Sequence, residues 1–491
     1  MSDNPIPPAA GTASAPRNPN VIVAVLAFAG IVVSLMQTLV IPIVPELPKL
    51  LNAPASDTAW AVTATLLAAA VATPIAGRLG DMYGKRRMLL TSLAMLTIGS
   101  ITVALSDSLT PMIVGRLLQG LSAGVIPLGL SIMRDELPAE RLGASTALMS
   151  ASLGIGAALG LPIAAVVADN FDWHVLFWAS TVMSAIALVV VLALVPESGV
   201  RTGGRFDLLG GLGLAAGLVC LLLAISKGGD WGWGSGTTLG LFAAGVLILL
   251  LWGFLELRTT QPLVDLRTTT RPQVLFANLA GLAFGFSLFA VQLIVPQILQ
   301  LPEQTGYGLG EDLLTVGLVL APQGLIVMFA APLSSKISQA RGPKLTLMIG
   351  ALIVAAGYAL NIFLMSEIWQ LILVSCVIGI GFAYGALPML IMGAVPVSET
   401  AAANAFNTLL RSIGSSLASA ASGVILAQMT IDFAGHALPS EDSFKVIMAI
   451  GCGAALVAFL LASFLPRQRA LATASGVPAE AAATADAAQK V

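Results

Sequence analysis

Apolar residues run almost without interruption for the length of a membrane span at a time along this chain, and short polar or Gly/Pro-containing stretches separate the runs. A helix needs about 20 mostly apolar residues to cross the hydrocarbon core of a bilayer. The strands of a membrane barrel would instead alternate apolar and polar residues over about ten positions. The runs therefore predict an all-α polytopic membrane protein with fourteen transmembrane helices, at residues 21–41, 58–79, 88–105, 109–133, 142–168, 173–195, 207–226, 237–256, 274–299, 313–335, 345–365, 368–392, 402–430 and 444–465.

The composition agrees with this prediction and excludes several classes of protein. Of the 491 residues, 57% are hydrophobic and 10% are charged, with a mean hydropathy of +0.93, whereas a soluble domain carries about 25% charged residues. The net charge of −2 leaves no basic face for nucleic acid. The cysteines are too far apart for a disulfide framework or a zinc site; they are Cys220, Cys376 and Cys452. We expect no cofactor, no metal and no nucleic-acid partner.

Positive charges predict the orientation of the chain in the membrane. Of the 23 Lys and Arg residues, 18 fall on the side of the N-terminus, and Lys49, Lys227 and Lys445 fall on the other. Arg116 and Arg411 lie within predicted spans. Because loops rich in Lys and Arg stay on the cytoplasmic side, we expect a multi-pass protein of the cytoplasmic membrane with both termini in the cytoplasm.

An internal repeat predicts the domain organisation. Residues 73–87 resemble residues 331–345 at a constant offset, so that Pro74 matches Pro332 and Gly84 matches Gly342. Parallel halves are typical of transporters that rock about a central site. We therefore expect two six-helix bundles, at 21–196 and 273–466, separated by a linker at 197–272 that carries the seventh and eighth helices. The cytoplasmic tails at 1–20 and 467–491 are expected to be disordered.

Four motifs resemble one family of transporters. The segments Gly77–Arg87 and Gly115–Gly124 resemble the loop motif and the fourth-helix motif of the major facilitator superfamily. The segments Gly204–Gly210 and Arg411–Ser416 resemble its fourteen-helix drug–proton antiporter family, which includes actinobacterial multidrug efflux carriers. The resemblance covers residues 20–470. It implies the fold of that superfamily and export of organic compounds in exchange for protons.

Two stretches depart from the family pattern. In the fifth helix, Gly156–Ala165 carries alanines where the antiporter motif has a pair of glycines. In the first helix, Gln37 stands where many family members have a membrane-embedded Asp. A carboxylate for proton coupling therefore cannot be transferred to this position.

The loop motif predicts a conformational switch formed by Gly77, Arg78, Asp81, Gly84, Lys85, Arg86 and Arg87. Its basic residues could serve only as a topological anchor, but an acid adds nothing to topology. We expect Asp81 to accept from a basic residue or a helix N-terminus on a neighbouring helix, in a contact that holds one conformation and breaks in the other.

Arg116 is the second residue with an expected role in coupling. It lies roughly 10 Å deep in the fourth helix, where an arginine costs about 3 kcal/mol. It could extend outward to the membrane surface, or it could face the central cavity and hold Gln119 or backbone carbonyls. Gln37 or Asp107 could take part. The resemblance implies a role for Arg116 in proton coupling, and we assign Asp81 to coupling with it.

A cavity for drug-sized compounds should be mostly apolar with a few polar groups. Its candidate residues are Gln37, Thr38, Trp60, Gln119, Phe289, Gln292, Gln323, Asn361, Tyr384, Asn407 and Arg411. Each could instead form an interhelical hydrogen bond or face lipid. Small residues allow close helix contact or act as hinges, and the candidates are Gly120, Gly124, Gly156, Gly160 and Pro162.

These features favour a monomeric exporter of amphipathic compounds that exchanges them for protons. An uptake symporter of the same superfamily remains an alternative, because the loop motif does not separate the two. A receptor or scaffold would be expected to carry a substantial soluble domain. The spans contain no catalytic constellation, and the sequence has no G-x-x-x-x-G-K-[ST] loop for ATP. The chain is therefore not expected to be an enzyme.

Overall fold

The computed structural model describes residues 18–40, 43, 47–58, 60–380, 382–433 and 436–466. The tails predicted to be disordered lie outside this part of the chain, apart from residues 18–20. The first helix already begins at Pro19, because the Asn18 side chain accepts a hydrogen bond from the Asn20 backbone N–H and caps the helix.

The first half of the described chain consists of successive α-helices. A 3₁₀ segment, Leu121–Gly124, joins the sixth helix to the seventh, so that together they form one long element. The helices are α1 (Pro19–Thr38), α2 (Leu47–Leu50), α3 (Ala55–Thr58), α4 (Trp60–Tyr83), α5 (Lys85–Ala104), α6 (Leu109–Gly120), α7 (Val125–Glu136), α8 (Ala139–Asn170) and α9 (His174–Leu194).

The second half follows a long helical hairpin and a short connecting helix. The hairpin helices are α10 (Leu208–Trp231) and α11 (Gly236–Arg258), and the connecting helix is α12 (Leu266–Thr269). The remaining elements are α13 (Pro272–Gln300), α14 (Leu313–Arg341), α15 (Pro343–Asn361), α16 (Ile368–Gly379), α17 (Phe382–Met392), α18 (Thr400–Gln428), the antiparallel strands β1 (Thr430–Phe433) and β2 (His436–Pro439), and α19 (Glu441–Ser463).

The helical architecture confirms the predicted fold class. In the described part of the chain, twelve helices are long and apolar enough to cross a membrane. The fifth predicted span corresponds to α8, which is not among the twelve. The twelfth predicted span is divided into α16 and α17, and Ile380 between them has a non-helical backbone. The count of fourteen spans stays a prediction.

The two repeated segments 73–87 and 331–345, which lie in predicted cytoplasmic loops, are largely helical. α4 continues to Tyr83 and α14 to Arg341, beyond the ends of the predicted spans, because a drop in hydropathy does not interrupt the hydrogen bonds of a helix backbone. Gly84 and Gly342 alone interrupt each helical pair, with φ of +123° and +89°, a conformation that favours glycine. The repeat at offset 258 thus recurs as matching backbone breaks.

In the described residues, buried apolar side chains form two large clusters and two smaller ones, one around α10 and one between α8 and α14. The first large cluster draws almost all its residues from 22–195, and the second draws its residues from 277–465. The two halves meet where α8 packs against α14 and where α4 packs against α18. We call the end of the bundle at which α4 ends the basic end, because it carries Lys85, Arg86, Arg87, Arg134, Arg258 and Arg341.

Candidate functional site

Asp81 joins the two halves of the protein at the basic end. Its side chain is fully buried, and its carboxylate accepts hydrogen bonds from the backbone N–H groups of Ala401 (3.3 Å) and Ala402 (2.8 Å). Both groups belong to the first turn of α18, where the N–H groups have no partner within the helix and the helix dipole favours negative charge. The structure thus gives Asp81 the kind of partner expected of it, a neighbouring helix N-terminus.

Lys85 places a positive charge beside Asp81 on the same half. Its ammonium lies 3.8 Å from Asp81 Oδ1 and 2.6 Å from Asp135 Oδ2, with no side chain exposed by more than 2%. Ser198 Oγ donates to Asp135 at 2.5 Å. Buried ions need such partners to offset the cost of leaving water. Lys85 therefore links α5, α4 and α7 behind the contact between the halves.

The glycines of the motif permit close approach. A methyl group on Gly77 would lie 2.6 Å from the Cβ of Ala405 and 2.7 Å from the carbonyl oxygen of Ala401, both on α18. At Gly84 the added carbon would meet the Glu197 carboxylate at 2.6 Å. Gly77 thus brings α4 against α18, and Gly84 provides the positive φ that turns the chain into α5.

The remaining basic residues of the motif do not join the Asp81 cluster. Arg86 donates to the backbone carbonyl of Leu192 at 2.5 Å, and Arg87 is largely exposed with its Nε 3.8 Å from Glu197. Arg78 is half-buried and lines a cavity between the linker after α11 and the start of α18. Of the charges predicted to act together, Asp81 and Lys85 form the buried pair.

Arg134 is a further cross-half contact that the sequence did not indicate. Its guanidinium donates to Thr400 Oγ1 at 2.5 Å and to the Val395 carbonyl at 3.1 Å. It therefore holds the start of α18 beside the Asp81 carboxylate. In the sequence Arg134 counted only as a topological charge, since its partners lie more than 250 residues away.

We expect Gly77→Val to weaken the contact between the halves, because its side chain would push α18 away from Asp81. Transport should fall at least about tenfold, the change that follows from losing about 1.4 kcal/mol of one state's stability. Gly199→Ala is the matched control, since no atom lies within 4 Å of its added carbon. Transport assays at equal membrane abundance check this expectation, which wild-type activity in Gly77→Val would contradict.

Arg116 holds three other helices of the N-terminal half together. It is 2% exposed. Its Nε donates to the Ala61 carbonyl at 2.8 Å, and its Nη1 donates to Gln119 Oε1 at 2.7 Å and to the Met36 carbonyl at 3.4 Å. Gln119 in turn donates to Ser100 at 3.0 Å. The structure therefore places Arg116 inside the bundle with Gln119 and backbone carbonyls.

Several predicted cavity residues form contacts within one half or with the hairpin. Asn407 donates to Asn278 Oδ1 at 3.1 Å, and the Trp60 ring lies 5.6 Å from the Lys227 ammonium. Thr38 donates to the Leu35 carbonyl at 3.0 Å.

Other predicted cavity residues differ in accessibility. Gln37 and Gln292 are exposed, and Phe289, Gln323 and Arg411 are half-buried. Asn361 is fully buried, and neither of its side-chain polar atoms has a hydrogen-bond partner. The side chain of Tyr384 lies outside the described residues. The binding role of the whole set stays a prediction.

The predicted packing glycines lie at close helix contacts. Added carbons on Gly120 and Gly124 would lie 2.5 Å from the Thr65 carbonyl oxygen and 2.6 Å from Ala76, both on α4. Gly156 faces α1 in the same way, at 2.5 Å from Ser34, and Gly160 faces Thr38. Pro162 lies inside α8 and contacts Gly317 of α14. The 3₁₀ segment between Gly120 and Gly124 is the kind of irregularity that often marks a hinge.

Comparisons with known proteins agree with this architecture. An uncharacterized MFS-type transporter of Mycobacterium tuberculosis is 27% identical over 445 residues, which are 88% of this chain and 63% of that protein. The chain therefore spans less than two thirds of that relative. The tetracenomycin C resistance and export protein of Streptomyces glaucescens is 27% identical over 82% of this chain and 74% of its own length. Multidrug resistance protein 3 of Bacillus subtilis is 24% identical over 73% of this chain and 70% of its own length.

Solved structures and a family model complete the assignment. The human organic anion transporter MFSD10 superposes with a TM-score of 0.63 at 16% identity, covering 90% of this chain and 99% of that one. The proton:xylose symporter XylE does so with a TM-score of 0.62 at 14% identity, covering 92% and 97%. These likenesses concern the fold alone. The family model for the Major Facilitator Superfamily matches residues 26–419. The chain is therefore a multi-pass membrane protein that belongs to the major facilitator superfamily.

Proposed function

We propose that this transporter exports amphipathic organic compounds from the cytoplasm in exchange for protons, by alternating access between its two halves. The observation that carries the proposal is the buried Asp81 carboxylate bound to the start of α18, 320 residues away in the chain. A contact of this kind closes the basic end in one state and must break when that end opens. The similarity to a tetracenomycin C export protein and to multidrug resistance proteins supports the substrate class and direction.

Asp81 is also the group that we assign to proton coupling. Gln37 occupies the position of the family's first-helix acid, whereas Asp81 is a fully buried carboxylate at the moving contact. Protonation would remove the negative charge that the N–H groups of Ala401 and Ala402 stabilise, and so weaken the contact. Release of the proton into the cytoplasm would restore it. Arg116, within the N-terminal half, would keep α1, α4 and α5 in register during the movement.

The proposal also includes an orientation of the carrier in the membrane. The basic end faces the cytoplasm, as expected from its positive charges, and the carrier lies in the cytoplasmic membrane as a monomer. Entry of one proton across about 100 mV supplies about 2.3 kcal/mol. That energy alone supports nearly a fiftyfold gradient of a neutral compound.

Everted membrane vesicles test the proposal. With a respiration-driven proton gradient, we expect vesicles containing the wild-type protein to accumulate labelled tetracenomycin C or a lipophilic fluorescent dye, and to lose part of the gradient when the compound is added. Vesicles with Asp81→Asn should do neither. Uptake by right-side-out cells that is driven by the proton gradient would favour the symporter instead. Failure of both assays across a broad compound panel would overturn the exporter.

A further inference from the structure

The helical hairpin between the halves covers the seam where α4 meets α18. We call residues 197–272 the insert. Its helix α10 packs against both α4 and α18. Leu218 of α10 belongs to one apolar cluster with Leu67 of α4 and Leu409 of α18. The insert therefore contacts both halves at a place where they must move relative to each other.

Polar contacts connect the insert to the N-terminal half at both ends of the helical bundle. At the basic end, the Thr202 N–H donates to the Asp81 carbonyl at 2.8 Å, and Ser198 donates to Asp135 at 2.5 Å. At the opposite end, the Lys227 ammonium is buried over the Trp60 ring and 3.0 Å from Asp230. A cation over an aromatic face is attracted more strongly when it is desolvated.

The segment that follows α11 is bound back to the hairpin and to the stretch before α10. Glu256 of α11 is 2% exposed, and its Oε1 accepts the Val264 N–H at 2.7 Å. Gln261 Oε1 accepts the Arg205 N–H at 2.7 Å. The Arg267 guanidinium also donates to the Leu257 carbonyl of α11 at 2.8 Å. These bonds hold the chain against the hairpin as far as Arg267, so movement of the insert relative to the C-terminal half would have to be absorbed after this residue.

The surface between the insert and the C-terminal half is packed differently. α10 meets α18 through the apolar side chains around Leu409. Beside this contact, a cavity separates Val264 and Thr268 of the insert from Ala402 and Phe406 of α18. Directional bonds must break before two surfaces slide, whereas apolar contacts can exchange partners and a cavity lacks the close packing that resists displacement.

We propose that the insert moves with the N-terminal half as one rigid body, and that α10 slides over α18 as a seal that keeps lipid out of the seam. The chain between Arg267 and Pro272 is then the hinge to the C-terminal half. This inference rests on the proposed function, because sliding requires the two halves to rock.

Distances between spin labels test the inference. Cysteines are introduced in pairs at Ser108 of the N-terminal half, Gly234 of the insert and Gln304 of the C-terminal half, all exposed at the end opposite the basic end. The background replaces Cys220, Cys376 and Cys452 by alanine. Double electron–electron resonance is recorded on the full chain in lipid nanodiscs, with and without Asp81→Asn, which releases the contact between the halves. We expect the 108–304 and 234–304 distances to shift together and the 108–234 distance to stay constant.

Each other result has a definite meaning. A shift in the 108–234 distance while 234–304 stays constant would show that the insert follows the C-terminal half, and would overturn the inference. Shifts in all three distances would show an independent insert, with the same consequence. A constant 108–304 distance would count against rocking itself and so overturn the proposed function together with the inference.

A second pair of variants tests the attachment to the N-terminal half. Lys227→Met removes the charge over Trp60 and should broaden the 108–234 distance distribution while leaving the chain folded. Lys445→Met is the matched control, because Lys445 pairs with Glu441 at the surface of α19, 2.8 Å away. Equal distributions in the two variants would contradict the role of Lys227 in fixing the insert.

Discussion

Replacing Asp81 by asparagine is expected to abolish transport while leaving membrane insertion intact. Asparagine is close in size but has no charge, so the N–H groups of Ala401 and Ala402 lose their charge-assisted acceptor. A bond of this kind contributes about 1.5–3 kcal/mol, and each 1.4 kcal/mol changes an equilibrium about tenfold. The state with a closed basic end should therefore lose at least about tenfold in population.

The measurement is compound efflux from cells or uptake into everted vesicles, at equal membrane abundance of each variant. Asp107→Asn is the matched control, because Asp107 is 95% exposed in the segment between α5 and α6, and the hydrogen bonds of Arg116 go to Ala61, Met36 and Gln119 instead. We expect its transport to stay within about twofold of wild type, as surface substitutions usually shift stability by no more than about 0.5 kcal/mol. Transport by Asp81→Asn equal to that of Asp107→Asn would exclude Asp81 from both the contact and proton coupling.

Arg116→Ala has the second largest expected effect, a loss of transport together with a lower melting temperature of the purified protein. The substitution leaves Gln119 Oε1 without its Arg116 donor, and it removes the bond to the Ala61 carbonyl, which keeps only the donor Thr65 Oγ1 of its own helix at 3.3 Å. A buried polar group left unsatisfied costs about 1–3 kcal/mol. Because these groups lie on different helices, their packing should loosen along with the Arg116 contact.

Arg116→Lys separates geometry from charge. Lysine keeps the positive charge but lacks the planar fork of donors that reaches several acceptors at once. We expect it to insert normally and still transport poorly. Arg258→Ala, at the exposed end of α11, is the control for loss of an arginine elsewhere. Wild-type efflux by Arg116→Ala would contradict its proposed role, whatever the melting temperature.

Much of the fold could be predicted from local sequence patterns. Hydropathy located most helices to within a few residues, and the spacing of Pro74 and Gly84 against Pro332 and Gly342 indicated two related halves. The helix ends were less accurate. Hydropathy marks where the apolar residues end. A helix instead ends where its backbone hydrogen bonding is interrupted, which is at Tyr83 and Arg341 in the two repeats.

The candidate site was predicted in part. The sequence indicated that Asp81 would meet a basic residue or a helix N-terminus, and the buried carboxylate meets both Lys85 and the start of α18. It did not separate Lys85, which is buried beside Asp81, from Arg86, which bonds to the Leu192 carbonyl, and Arg87, which is largely exposed. All three are basic residues at the start of one helix, and only the position of Asp135 on a neighbouring helix distinguishes them. The sequence did not indicate Arg134 for the same reason, because only the packing of the helices brings its partners Thr400 and Val395 close to it.

The sequence by itself determined that this chain crosses a membrane, that its halves repeat and that it belongs among the major facilitators, because hydrophobic length, glycine breaks and short motifs are local properties. Only the tertiary structure decided that α18 is the partner of Asp81, that Arg116 bonds to α1 and α4, and that the insert covers the seam between α4 and α18. These contacts join residues far apart in the chain, so they depend on how the helices pack. No single segment encodes them.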